Sequence, residues 1–215
     1  MICGIDEAGR GPVLGPMVVC GVCAENDIAL KELGVRDSKK LSPKKREELA
    51  PKIRALAKVE VVEVTAEEID EMREMMTMNE LEARVFATII ERLGPKVAYV
   101  DSADANEAQF ARMIQTQLKL PVDIVSKHKA DDLFPVVSAA SIVAKVTRDG
   151  RIAEIERAIG EPIGTGYPSD PDTIAFLRKY CERNKCLPPH TRTSWVTAKN
   201  LMRMHELRRL DSYEG

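Results

Sequence analysis

Short apolar runs near the N-terminus are typical of β-strands. Two of them, Ile2–Glu7 and Met17–Cys23, are separated by a stretch rich in Gly and Pro, which predicts two strands joined by a turn. A third strand is predicted at Lys58–Thr65, where charged and apolar residues alternate as they do on a half-exposed strand.

Helix signals lie between and after these strands. Pro43 suits the first position of a helix, and Pro51 is expected to kink or divide that helix. Thr65 and Thr77 are each followed three residues later by Glu, which is the spacing of a capping box. The acidic run at 67–74 is interpreted as the solvated face of a helix and is given no function.

Strands and helices then alternate along the chain, and this alternation indicates an α/β domain around a mixed sheet. The later predicted elements are a strand ending at Asp101, a helix at Glu107–Leu118, a strand at Val122–Ser126, a buried helix at Val136–Val146, and helices at Asp172–Asn184 and Thr193–Leu210.

The composition of the 215 residues is that of a globular chain, with 44% hydrophobic and 31% charged residues. The net charge of -2 gives no general attraction to nucleic acid, so any basic surface must be local. The pattern shows neither a membrane span nor a secretory signal, and we expect a cytoplasmic protein without a membrane partner.

Five cysteines allow two interpretations. Cys20 and Cys23 have the spacing of a zinc pair, with Cys181 and Cys186 as a possible second pair. On a strand, however, Cys20 and Cys23 point to opposite faces, which favours reduced structural thiols. The nucleotide-binding glycine motifs and the Gly-x-Ser-x-Gly motif are absent, and the three histidines are too scattered for a zinc motif.

Four carboxylates stand where strands end or helices begin: Asp6, Glu7, Asp101 and Asp131. Each alone could simply cap a helix or end a strand. Together they form an oxygen-only ligand set of the kind that Mg²⁺ or Mn²⁺ prefers, and four could hold two ions. Asp6 and Glu7 would point to opposite faces of a regular strand, so both can approach one metal cluster only if the strand loosens at residues 7–9.

Five blocks of the sequence, in their order along the chain, resemble the signature blocks of type 2 ribonuclease H, the ribonuclease HII family, with some preference for its archaeal branch. The blocks are GIDEAGRGPVLGPM, DSKKL, YVDS, DDLFPVVSAASIVAKVTRD and GTGYPSD, and the later PPHTRTSW is also similar to the family. The resemblance implies a ribonuclease H-like mixed sheet flanked by helices. It further implies a catalytic domain at 1–165 and a small helical C-terminal subdomain at 166–215 that contributes to substrate binding.

The resemblance also implies metal-dependent endonucleolytic cleavage. The expected substrates are the RNA strand of RNA/DNA hybrids and duplex DNA with embedded ribonucleotides, which is cut 5′ of the ribonucleotide to leave 3′-OH and 5′-phosphate ends. The metal ligands carried over are Asp6, Glu7, Asp101 and Asp131, the last because it follows Lys-Ala as the family aspartate does, which its neighbour Asp132 does not.

Substrate-binding residues are implied by the same comparison. Gly9, Arg10 and Gly11 match the element that grips the backbone at the RNA–DNA junction, and Tyr167 matches the tyrosine that reads the 2′-hydroxyl. Ser38, Lys39 and Lys145 are expected to contact phosphates. The alternatives are a turn aromatic packed on the core for Tyr167 and solvated lysines for the basic positions.

Two other functions are compatible with a metal site on this fold. One is another ribonuclease H-like nuclease, such as a resolvase, and the other is an inactive protein that only binds hybrids. The chain is expected to be a monomer. Its last residues, LRRLDSYEG, do not match the Gln-x-x-Leu-x-x-Phe-Phe box with which some relatives bind a sliding clamp, so a clamp partner is left open.

Overall fold

The computed structural model describes residues 1–35 and 41–211, with side chains described as far as residue 204. Five strands form one sheet in the order β3-β2-β1-β4-β5. Strand β1 pairs antiparallel with β2 and parallel with β4, and β4 pairs parallel with β5, so the sheet is mixed, as predicted. The strands are β1 (Ile2–Ala8), β2 (Met17–Ala24), β3 (Lys58–Val64), β4 (Val97–Asp101) and β5 (Asp123–Lys127).

Nine helices are described in this part of the chain: α1 (Ile28–Leu33), α2 (Pro43–Leu56), α3 (Ala66–Arg73), α4 (Met78–Leu93), α5 (Glu107–Gln115), α6 (Ala130–Leu133), α7 (Pro135–Ile159), α8 (Pro171–Asn184) and α9 (Val196–Asp211). Both capping boxes are present, because Thr65 and Thr77 each accept a hydrogen bond from the third helical residue, whose own side chain returns one. Among the described residues, no helix is both long and apolar enough to cross a membrane.

Several details differ from the sequence predictions, among them the end of α5 at Gln115 and the start of α9 at Val196, each three residues from the expected position. Helix α2 runs through Pro51 without dividing. Proline removes one backbone hydrogen bond, and its partner residue Glu47 is exposed, so the loss falls where water is available. Helix α7 continues thirteen residues beyond its expected end at Val146. The prediction followed only the buried half of the helix, and the more exposed half after it is also helical. Helices α1 and α6 are short and lack the long apolar periodicity on which such predictions rest.

The chain divides into two compact units. The first consists of Met1–Ala8, Val18–Glu63 and Met76–Arg148, and the second of Gly9–Met17, Val64–Met75 and Asp149–Gly215. Each unit has its own apolar core, one around the buried half of α7 and one around Phe176 and Leu177 of α8. Residues 166–215 all belong to the second unit, and their role as a substrate-binding subdomain stays a prediction.

The backbone of β1 is in direct contact with α7 at Gly4. A Cβ atom at this position would lie only 2.2 Å from the carbonyl carbon of Val136 and 2.2 Å from the nitrogen of Val137. Both neighbours are backbone atoms of a buried helix and cannot swing aside as a flexible side chain can. The missing side chain therefore determines how closely the helix approaches the central strand.

We predict that Gly4→Ala destabilises the protein by about 3 kcal/mol, because the strand and the helix must separate to admit the methyl group. Urea unfolding followed by circular dichroism measures the change. Gly150→Ala is the matched control, since nothing lies within 4 Å of a Cβ there and the residue is helical. That change is expected to be neutral or to stabilise by up to about 1 kcal/mol. Equal stability of the two variants would contradict the prediction.

Candidate active site

The parallel pairing of β1 and β4 brings two of the predicted carboxylates to one edge of the sheet. Ile5 lies opposite Val100 in this pairing, and the next residue of each strand is Asp6 and Asp101. The carboxyl ends of parallel strands are the usual location of functional sites in open α/β sheets. The structure thus places Asp6 and Asp101 side by side at such an edge.

Asp131 is linked to Asp101 through a hydrogen bond of the residue that precedes it, Ala130. The backbone N–H of Ala130 donates to Oδ1 of Asp101 over 2.7 Å. Lys129 adopts a left-handed conformation with φ 55°, which turns the chain from β5 into the short helix α6. Asp131 follows directly and is only 2% exposed. Asp101 therefore positions the turn that carries Asp131.

The Asp6 carboxyl is buried among charged groups of both signs. Burial raises its pKa well above the ordinary value, and the negative charges of Glu7 and Asp101 raise it further. The Lys145 ammonium group and a hydrogen bond with Ser141 act in the opposite direction. Lys145 also donates to the Ser141 hydroxyl one helical turn earlier on α7. The structure places the Lys145 charge beside Asp6, and its expected contact with phosphate stays a prediction.

Glu7 does not leave the strand as expected. It pairs with Val19, and Ala8 pairs with Val18, so β1 stays regular through Ala8 and the expected loosening starts only at Gly9, with φ 84°. Successive side chains of a regular strand point to opposite faces. The backbone N–H of Glu7 donates to Oδ1 of Asp6 over 2.8 Å. Glu7 therefore helps to orient Asp6 through its main chain.

The chemistry of these side chains fits a hard divalent cation. The set contains only carboxylate oxygens, which are the preferred ligands of Mg²⁺ and Mn²⁺, and a cation would relieve the repulsion around Asp6. Among the side chains that the structure describes, no group of three His, Cys, Asp or Glu residues is arranged to hold a metal ion. The donor set thus suits a metal in kind, and ion binding requires the carboxylates to draw together.

A second group of predicted residues lies within the second unit. We call residues 9–15 the Gly-Arg-Gly loop. A Cβ atom on Gly11 would lie 3.8 Å from Cε1 of Tyr167, so the tyrosine ring edge borders the loop. The N–H groups of Val13 and Leu14 both donate to the carbonyl oxygen of Gly166, over 2.9 and 3.2 Å. Tyr167 is 37% exposed, which leaves part of its ring accessible. The structure therefore brings the Gly-Arg-Gly motif and Tyr167 together.

Sequence reasoning missed three residues around this loop. Arg192 and Trp195 donate hydrogen bonds to loop carbonyl oxygens, and Asp70 holds the turn between them. The first two lie in the PPHTRTSW block, to which no individual role was given. Asp70 belongs to the acidic run at 67–74, which the sequence predicts as a solvated helix face, and the structure adds that this half-exposed residue accepts hydrogen bonds from Thr193 and Ser194. Ser38 and Lys39 lie outside the described residues.

Comparison with known proteins agrees with these features. A family model described as Ribonuclease HII matches residues 3–198. A ribonuclease HII of Methanoregula boonei is 49% identical over 202 residues, which cover 94% of each chain.

Two solved structures are similar to this fold over nearly its whole length. The ribonuclease H2 of Pyrococcus horikoshii has a TM-score of 0.89 and 42% identity, and the match covers 95% of this chain and 98% of the other. The ribonuclease HII of Archaeoglobus fulgidus, solved in complex with PCNA, has a TM-score of 0.87 and 42% identity over 94% of this chain and 96% of its own. The mixed sheet and its helices are the ribonuclease H-like fold, and the chain belongs to the ribonuclease HII family.

Proposed function

We propose that the protein is an endonuclease that hydrolyses the RNA strand of RNA/DNA hybrids and cuts duplex DNA 5′ of an embedded ribonucleotide. Its family consists of ribonucleases, so the protein is a nuclease of the hydrolase class. The observation that carries the finer proposal is the Gly-Arg-Gly loop bordered by the ring of Tyr167. Such a pair can read a ribose against a deoxyribose, which metal-dependent nucleases without ribose selectivity do not need.

The metal ligands in this proposal are Asp6, Glu7, Asp101 and Asp131, which hold Mg²⁺ or Mn²⁺, with two ions when substrate is bound. For the Glu7 side chain this requires the end of β1 to loosen when the ions bind. Ions held there would supply activation of the attacking water and stabilisation of the leaving oxygen, which would leave 3′-OH and 5′-phosphate ends. The Lys145 charge favours the ionised form of Asp6, and a carboxylate must be ionised to act as a metal ligand. Asp101 keeps Asp131 in place through the Ala130 hydrogen bond.

Recognition of the substrate is assigned to the second unit. Main-chain groups of Gly9, Arg10 and Gly11 grip the nucleic-acid backbone, and the Tyr167 side chain contacts the ribose that carries the 2′-hydroxyl, with its own hydroxyl as a hydrogen-bond partner of the substrate. A 2′-hydroxyl both donates and accepts hydrogen bonds, and so distinguishes RNA from DNA at a single position. Residues 166–215 take part in substrate binding through Tyr167, and Ser38 and Lys39 supply phosphate contacts.

We predict that Asp101→Asn lowers kcat on an RNA/DNA hybrid by about 10²–10³-fold or more, because the variant loses a negative charge with which the site holds its divalent cations. Asparagine retains an oxygen that can accept the Ala130 N–H, so the fold should be preserved. The measurement uses a labelled hybrid with Mg²⁺ or with Mn²⁺. Asp132→Asn is the matched control, since this exposed neighbour is expected to be neutral. An Asp101→Asn variant with more than half of the wild-type rate would exclude the metal-site assignment.

We predict that Tyr167→Phe reduces kcat/KM on a DNA duplex with one ribonucleotide by about 10-fold, the usual effect of losing one hydrogen bond to substrate. Cleavage of a uniform RNA/DNA hybrid should fall less, because many positions of that substrate can be cut. Tyr180→Phe, which removes a hydroxyl elsewhere in the same unit, is the control. If wild type ignores the ribonucleotide duplex with both metals but cuts branched or all-DNA substrates, the proposal is wrong and a resolvase-like activity replaces it.

A further inference from the structure

A single buried guanidinium group holds most of the Gly-Arg-Gly loop. Arg192 is 0% exposed, and its side chain donates four hydrogen bonds to main-chain oxygens of the loop. Nη2 donates to Gly9 over 2.6 Å and to Gly15 over 2.9 Å, Nη1 donates to Arg10 over 2.8 Å, and Nε donates to Gly15 over 3.1 Å. The positive charge is thus spread over carbonyls at both ends of the loop.

The remaining carbonyl of the motif has its own donor. Nε1 of Trp195 donates to the carbonyl oxygen of Gly11 over 3.1 Å. The guanidinium carbon of Arg192 lies 4.9 Å from the centre of the tryptophan ring, and that of Arg73 lies 4.8 Å from it. These distances are within the range of cation–π attraction. Arg192 and Trp195 therefore support each other while they hold successive carbonyls.

This anchoring determines which way the backbone N–H groups point. In a trans peptide the N–H group points away from the carbonyl oxygen of the preceding residue, and no cis peptide occurs among the described residues. With the carbonyls of Gly9 and Arg10 turned toward Arg192, the N–H groups of Arg10 and Gly11 are turned the opposite way. The next residue, Pro12, has no N–H group. Two adjacent amide donors thus share one direction.

The turn between Arg192 and Trp195 is held by Asp70 of α3. Its Oδ2 accepts hydrogen bonds from the N–H of Thr193 over 2.6 Å and from the Thr193 hydroxyl over 2.7 Å, and its Oδ1 accepts the N–H of Ser194 over 3.2 Å. Burial alone would raise the pKa of Asp70, but the hydrogen bonds from Ser194 and Thr193 outweigh burial and lower this pKa. The carboxylate therefore stays ionised and holds the turn between Arg192 and Trp195.

We propose that Arg192 and Trp195, anchored by Asp70, are positioning residues for ribonucleotide recognition. They aim the N–H groups of Arg10 and Gly11 at the nucleic-acid backbone beside the Tyr167 ring. The inference rests on the proposed function, and it adds residues that do not touch substrate themselves. A recognition element needs such support, because a glycine-rich loop has many accessible conformations and binding must otherwise select one of them.

The test compares two substrates for each variant: a DNA duplex with one ribonucleotide, and a uniform RNA/DNA hybrid. The readout is the ratio of kcat/KM on the first to kcat/KM on the second. Trp195→Phe keeps an aromatic ring beside the two arginines and removes the donor to Gly11, so the ratio is expected to fall by about 5- to 10-fold, the effect of one misaligned hydrogen bond. Gly11 is exposed and its carbonyl can turn to water, so Tm should fall by no more than about 4 °C.

A second variant changes Asp70, which acts on the Gly-Arg-Gly loop only through the turn at Thr193 and Ser194. Asp70→Asn removes the charge that holds Thr193 and Ser194, and we expect the ratio to fall by about 3-fold, since neutral hydrogen bonds are weaker than charged ones. Glu71→Gln makes the same change of charge on the exposed neighbour in α3 and should leave the ratio at the wild-type value. Tyr180→Phe serves as the aromatic control in the same unit.

The outcomes separate this inference from the proposed function. If wild type prefers the ribonucleotide duplex and Tyr167→Phe lowers the ratio, the proposed function stands. An unchanged ratio in Trp195→Phe and Asp70→Asn would then overturn the positioning role alone, and equal losses on both substrates would show that these residues only stabilise the fold. A wild type without cleavage at the ribonucleotide, with or without a change in the variants, would overturn the proposed function and the inference together.

Discussion

The close contact between α7 and the backbone of β1 at Gly4 is the constraint on which the first unit depends. A helix can lie this near a central strand only if no side chain separates them, and Val136 and Val137 fill the space with backbone atoms. The contact determines where the later turns of α7 lie. As a result Ser141 and Lys145 reach Asp6, whose own strand is held against the same helix. The packing of α7 on β1 thus places the Lys145 ammonium group beside the buried carboxyl group of Asp6.

That arrangement makes the surroundings of Asp6 unfavourable for its negative charge. Asp6 lies close to the negative charges of Glu7 and Asp101 in surroundings where water is largely excluded, and each of these factors disfavours its ionised form. Lys145 offsets the repulsion only in part, since the pKa of Asp6 remains raised. A site of this kind gains most from additional positive charge. The site is therefore suited in its charge to a divalent cation.

In the second unit, side-chain hydrogen bonds hold a glycine-rich loop in one conformation. Glycines permit the tight path of the chain but raise the entropy that folding must overcome. A fully buried Arg192 would be costly without partners, and the loop carbonyls would be costly without donors. Each supplies what the other lacks, through four hydrogen bonds. Trp195 and Asp70 extend this arrangement on either side of the Thr193–Ser194 turn.

The sequence by itself determined the mixed sheet, both capping boxes and the placement of Asp101 at a strand end and of Asp131 at a helix start, because these follow from local periodicity and spacing. Its resemblance to a family also marked the Gly-Arg-Gly motif and Tyr167, which the structure brings together. Only the tertiary structure decided the regularity of β1 at Glu7, the continuity of α2 through Pro51 and the place of Asp70. Each depends on surroundings that the local sequence does not contain: a pairing strand, solvent beside one helical turn, and the N–H groups of a turn 123 residues along the chain. Local patterns do not predict such surroundings. A hydrogen bond between distant residues depends on how the chain folds back on itself, which is decided only when the whole core packs.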